Sequence, residues 1–115
     1  MKISFVNSIQ EDSKSTCEVH FIYKNKDDFG LPSSSFTVCT FWFINSLIKI
    51  GEVRKAKEYY DKLLSYSNHL GLFSEDIDFE SKRLLGNFPQ AYSHLALIDT
   101  ALSFNSAAKM HSKPL

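Results

Sequence analysis

The feature that most limits what this chain can fold into is the run at residues 36–50, where Phe36, Val38, Cys39, Phe41, Trp42, Phe43, Ile44, Leu47, Ile48 and Ile50 fall on nearly every face of a helix. A helix that is apolar all round packs against neighbours on more than one side, so it is predicted to be an inner helix. Ser33, Ser34 and Ser35 supply side chains able to cap its start. Gly51 stands where a helix ends in a left-handed residue. Thr37, Thr40, Asn45, Ser46 and Lys49 interrupt the run, which is too short to span a bilayer.

Residues 52–68 carry a different pattern. Val53, Ala56, Tyr60, Leu63, Leu64 and Ser67 form one stripe, while Arg54, Lys55, Lys57, Glu58, Asp61 and Lys62 lie opposite. Spacing by three and four residues predicts an amphipathic outer helix with one wet face, ended by Gly71. A third helix is expected over residues 89–104, with Pro89 in its first turn and Asn87 nearby as a cap. Its apolar residues Ala91, Tyr92, Leu95, Ala96, Leu97, Ile98, Ala101, Leu102 and Phe104 again cover more than one face. Residues 105–115 are polar with a late proline and are expected to fray.

The remainder is read as loop. Residues 1–17 are polar and irregular, residues 18–23 suit a brief extended segment, and residues 24–32 combine charge with Gly30 and Pro32. Between the second and third helices lies a stretch with Glu75, Asp76 and Asp78. By itself this is most simply a solvated acidic loop, although such loops also carry acid–base chemistry. The expected fold is all-α, in the order inner, outer, inner. One amphipathic cover cannot hide the apolar surface of two inner helices, so the chain is expected to be part of a larger two-layer helical array.

Charge limits the partners. With 13 basic and 13 acidic residues there is no electrostatic footprint for nucleic acid or an anionic membrane. Cys17 and Cys39 lack metal-ligand spacing, and no metal site or phosphate-binding glycine loop is read in the chain. The opening residues lack the apolar core of a signal peptide. The expected location is the cytoplasm.

Four motifs in order then carry a resemblance: Asp27-Asp28-Phe29-Gly30-Leu31-Pro32, Phe36-Thr37-Val38-Cys39-Thr40-Phe41-Trp42, Gly71-Leu72-Phe73-Ser74-Glu75-Asp76-Ile77-Asp78, and Leu85-Gly86-Asn87-Phe88-Pro89-Gln90-Ala91-Tyr92-Ser93-His94-Leu95. Together they resemble the C-terminal part of the glucoamylase and trehalase family, glycoside hydrolase family fifteen, over roughly residues 21–104. The resemblance implies an (α/α)6 barrel of six inner and six outer helices. It also implies hydrolysis of α-glucosidic bonds with inversion, with Glu75 at the position of the catalytic base and no cofactor.

The resemblance also shows departures. The general acid of the family lies in a Trp-Glu motif upstream, whereas the one tryptophan here, Trp42, precedes Phe43. A single carboxylate does not complete inverting hydrolysis, so the chain alone is expected to be inactive. Ile22-Tyr23-Lys24 stands in place of an Arg-Tyr pair, leaving Lys24 as a point charge where a planar fork would bind sugar hydroxyls. Residues 79–82 replace a Pro and Gly turn.

Trp42 and Phe36 are read either as an aromatic platform for a sugar ring or, more simply, as core. Gln90 and His94, four residues apart, are read either as substrate ligands or as a satisfied polar pair. Asp76 and Asp78 are expected to fix the loop through its own backbone. The expected substrate is an oligosaccharide or disaccharide. The alternative is a truncated remnant or non-catalytic helical module that self-associates through exposed apolar faces.

Overall fold

The computed structural model describes residues 33–112. The readings made above for residues 1–32, including Cys17, Lys24 and the motif at 27–32, lie outside the described residues. In order, the elements are strand β1 (Ser34–Phe36), helix α1 (Thr37–Lys49), helix α2 (Val53–Leu64), strands β2 (Asp76–Asp78) and β3 (Leu84–Leu85), and helix α3 (Ala91–His111). The fold is mainly helical, as expected, with a small sheet added.

Helix α1 packs against both α2 and α3. Its buried side carries Val38, Phe41, Ile44, Leu47 and Ile48, and Phe41 and Ile44 are fully enclosed. The core is aromatic at its centre. The Phe41 ring stands edge-on to Phe73 at 5.5 Å and to Tyr60 at 6.1 Å, and Tyr60 meets Phe104 at 5.2 Å. Burial is not all-round, however. Trp42 is 54% exposed and Phe36 38%, so the reading of these two as core is corrected. They lie on the side of α1 and β1 that neither α2 nor α3 covers.

The start of α1 also departs from expectation. Ser34 and Ser35 belong to β1, and the residue preceding the helix, Phe36, makes no side-chain cap. The serine hydroxyls are engaged elsewhere: Ser34 Oγ donates to Asp76 Oδ2 (2.9 Å), and Ser35 Oγ lies 3.3 Å from Thr40 Oγ1. The first amide of the helix, Thr37 N–H, donates instead to the Glu75 carbonyl (2.8 Å). The far end is as expected. Gly51 has φ +90°, its N–H donates to Ile48 O (3.1 Å), and Glu52 N–H donates to Leu47 O (2.9 Å), the paired bonds of a Schellman end.

A Cβ at Gly51 would meet nothing within 4 Å, so substitution there tests backbone conformation alone. Gly51→Ala should therefore destabilise the fold by about 1 to 2 kcal/mol, the cost of a left-handed L-residue. A urea melt with a lowered midpoint and unchanged slope would show it.

Helix α2 buries Ala56, Tyr60 and Leu63 and exposes Arg54, Lys57, Glu58, Asp61 and Lys62, the predicted one-sided pattern. It stops at Leu64, short of residue 68, because the next amides bond three residues back: Tyr66 N–H to Leu63 O (3.0 Å) and Ser67 N–H to Leu64 O (3.2 Å). Asn68 then closes the turn, its Oδ1 accepting from Leu70 N–H (2.9 Å) and Leu72 N–H (2.8 Å). Gly71, at φ +77°, completes it.

Helix α3 begins at Ala91, after a cis Phe88–Pro89 peptide, so neither Pro89 in its first turn nor Asn87 as its cap is observed. The main-chain groups of Asn87 are engaged by Glu75 instead. The helix also continues through the predicted fraying segment to His111. Ala107 packs on the core beyond Phe104, which gives that extension a buried side. The buried residues of α3 are small, Ser93, Ala96 and Thr100; Thr100 Oγ1 donates to Phe41 O on α1 (3.3 Å), and Asn45 Nδ2 donates to Asp99 Oδ2 (2.7 Å). The opposite face leaves Tyr92, Leu95, Ile98 and Leu102 more than half exposed.

The sheet has the order β1-β2-β3, antiparallel throughout. Phe36 pairs with Asp76 and Ser35 with Ile77, so the buried Ile77 joins the sheet to the core. In the β2–β3 turn, Lys82 occupies φ +58°, a conformation that glycine takes more easily. Lys82 compensates with a side-chain bond to Phe79 O, and its N–H donates to Asp78 O (3.1 Å).

Candidate active site

Phe73 is the root of the site. Its ring is fully buried against Phe41, which fixes the chain just before Glu75. The N-terminal end of α3 then grips the same segment. Gln90 N–H donates to Phe73 O (3.0 Å), Phe73 N–H donates to His94 Nε2 (3.2 Å), and Ser93 Oγ donates to Ser74 O (2.8 Å). His94 Nδ1 donates to Gln90 O at 2.7 Å. Because the Gln90 partner is a carbonyl and the Phe73 partner an amide, the imidazole carries its proton on Nδ1 and a lone pair on Nε2.

Glu75 follows, half-buried, with its main chain held from two sides. Its N–H donates to Asn87 O (2.9 Å) and its carbonyl accepts Thr37 N–H (2.8 Å). Its carboxylate is held as well, Oε2 accepting from Asn87 N–H (3.2 Å). The 73–75 segment thus runs between the entry to α1, the turn at 86–87 and the entry to α3, with the carboxylate at the turn. A half-exposed carboxylate on a backbone fixed from two sides is suited to removing a proton from a water molecule.

Phe36 pairs with Asp76 across the sheet, one residue beyond Glu75. Gln90 and His94 are also here, at the entry to α3. Gln90 takes part through its main chain, and both ring nitrogens of His94 are used by the backbone. Trp42 lies further along α1 on its exposed side. Lys24 is outside the described residues. Sequence reasoning did not single out Phe73, Ser93 or the Asn87 amide. Only the burial of Phe73 left a local signal, an aromatic beside Leu72 before the acidic run; the other two act through contacts distant in sequence.

Of the neighbouring carboxylates, Asp78 bonds the loop's own backbone as expected, whereas Asp76 instead ties the loop to a β1 side chain. Asp76 Oδ2 accepts from Ser34 Oγ, and Asp78 Oδ1 accepts Ser81 Oγ–H (2.6 Å) and Ser81 N–H (2.7 Å). The Ser81 hydroxyl and then its amide hold the Asp78 carboxyl below its ordinary range. Its stabilising contribution is therefore present above the unfolded value, about 3.9, and is lost as pH falls through the lower folded value. Relative to wild type, Asp78→Asn should be less stable at about pH 6, with the gap closing toward about pH 3. Urea midpoints at the two pH values check this.

Comparison with known proteins decides the family. The family model "Glycosyl hydrolases family 15" matches residues 48–102. The trehalase of Mycobacterium tuberculosis is 42% identical over 81 residues, 70% of this chain and 12% of that protein. The chain belongs to glycosyl hydrolase family 15. The trehalase of Thermoplasma volcanium is 39% identical over 106 residues, 90% of the chain and 17% of its own length. Trehalase 1 of Sulfolobus acidocaldarius is 35% identical over 79 residues, 68% and 14% respectively. The chain therefore spans between 12% and 17% of the length of these three relatives. No solved structure matches it. Among the described residues, no helix is long and apolar enough to cross a membrane.

Proposed function

We propose that this chain contributes the general base, Glu75, to an inverting α-glucosidase whose substrate is trehalose, with short α-glucans as the second choice. The observation that carries the reading is the placement of Glu75, half-buried, its main chain bonded to Thr37 and Asn87 and its carboxylate accepting the Asn87 N–H. The curated relatives named trehalase favour trehalose. In this reading the general acid, about 6.5–9.5 Å from Glu75 across the sugar, is supplied by chain other than the described residues. Phe36 and Trp42 offer rings to the apolar face of the sugar, Lys24 replaces an arginine at its hydroxyls, and Gln90 and His94 hold the base loop. No cofactor takes part.

The exposed face of α3 supports the same assignment, because Tyr92, Leu95, Ile98 and Leu102 are what an inner helix of an (α/α)6 toroid would turn toward the rest of its ring. That face also favours a second reading, a helical module that self-associates. A hybrid separates them: the T. volcanium trehalase with its matching segment replaced by this chain. Glucose release from trehalose, with half of the new glucose appearing first as the β-anomer, supports the base assignment. An inactive but folded hybrid, together with concentration-dependent dimers of the chain by light scattering, supports the module.

A further inference from the structure

We propose that Gly86 is a positioning residue for the Glu75 carboxylate and that the seat it forms makes Oε1 the oxygen that accepts the proton; this rests on Glu75 being the general base. Among the described residues three glycines have positive φ: Gly51 (+90°), Gly71 (+77°) and Gly86 (+77°). A Cβ at Gly51 or Gly71 would meet nothing within 4 Å. At Gly86 it would lie 2.9 Å from Glu75 Oε2, 3.1 Å from Glu75 Cβ and 3.6 Å from Cδ. The Glu75 side chain therefore lies along the bare α-carbon of Gly86.

Rotation about χ1 does not relieve the Cβ contact, because Cβ follows the backbone and that backbone is bonded at both its N–H and its carbonyl. A methyl group at 86 must displace either the carboxylate or the bonds to Asn87. With the glycine in place, Oε2 accepts Asn87 N–H (3.2 Å), while among the described residues no hydrogen bond reaches Oε1. The amide bond draws density from Oε2, which leaves Oε1 the more basic lone pairs. In the reaction Oε1 takes one proton from water as the water oxygen bonds to the anomeric carbon. The glycosidic C–O bond breaks, and the leaving oxygen takes the proton of the general acid.

The test uses the isotope-labelled full chain and follows amide proton shifts against pH. In wild type the Asn87 amide should move as Glu75 titrates, and Glu75→Gln should flatten that response. Gly86→Ala should flatten it too, while the Ser81 amide still follows Asp78, which shows that the fold persists. Gly71→Ala, at the same φ, should leave both responses intact. If Gly86→Ala alone does not fold, the same substitution with Glu75→Gly should restore folding, since the colliding side chain is gone. In the hybrid enzyme Gly86→Ala should lower kcat at least about tenfold with KM unchanged, and Gly71→Ala should not. An Asn87 amide that still tracks Glu75 in Gly86→Ala, or a double variant that stays unfolded, overturns the positioning role and leaves the base assignment standing. A hybrid that keeps its activity with Glu75→Gln overturns the base assignment itself, and with it the role given to Oε1.

Discussion

Glu75→Gln in the hybrid trehalase should lower kcat for trehalose by about 10²–10⁴-fold, the range that positioned general acid–base groups contribute, with KM little changed. The substitution is nearly isosteric. An amide oxygen still accepts the Asn87 N–H, and the main-chain bonds to Asn87 and Thr37 do not involve the side chain. What is removed is the capacity to hold a proton in the transition state, so the loss belongs in kcat. Glu75→Asp makes the complementary case: it keeps the charge but withdraws the carboxylate by about 1.5 Å, one bond length along the chain. Its kcat should fall between those of wild type and Glu75→Gln. A kcat for Glu75→Gln within about threefold of wild type would remove Glu75 from the chemistry, because no general base contributes so little.

The largest stability effect is expected at Phe41. Its ring is fully enclosed, and it stands edge-on to both Phe73 and Tyr60. Phe41→Ala should destabilise the fold by about 3–5 kcal/mol, combining lost transfer energy with the cavity left behind. That is a large part of the roughly 5–15 kcal/mol available to a domain, so the urea transition should move sharply to lower denaturant. Phe104→Ala makes the comparison, since Phe104 is only half-buried at the edge of the same cluster and should cost less. Because Phe73 roots the Glu75 segment, Phe41→Ala should also loosen the site, and the Asn87 amide would report it. Equal midpoint shifts for Phe41→Ala and Phe104→Ala would mean that the aromatic centre is not where the packing energy resides.

Much of this fold was legible without coordinates, for a reason visible in particular residues. Helix α2 announces itself through Ala56, Tyr60 and Leu63 set against a charged face, and the buried side chains match that stripe. Gly51 and Gly71 mark chain reversals because only glycine takes positive φ without cost, and both do so. Several of the errors fall at the site. Three serines before an apolar run suggest a cap, yet Ser34 and Ser35 pair as β1 with a strand more than forty residues later. Strands of two and three residues are shorter than any periodicity, so nothing local announces them.

Periodicity and motif order in the sequence determined the three helices, their turns and membership of family 15, because those depend on residues near one another in the chain. Tertiary structure alone decided that Trp42 and Phe36 face outward, that α3 keeps one apolar side uncovered, and that Gly86 and Asn87 receive the Glu75 carboxylate. Each of these depends on which distant backbone arrives at a given surface. A side chain's neighbours across a fold are set by packing between elements, which no spacing along one element records.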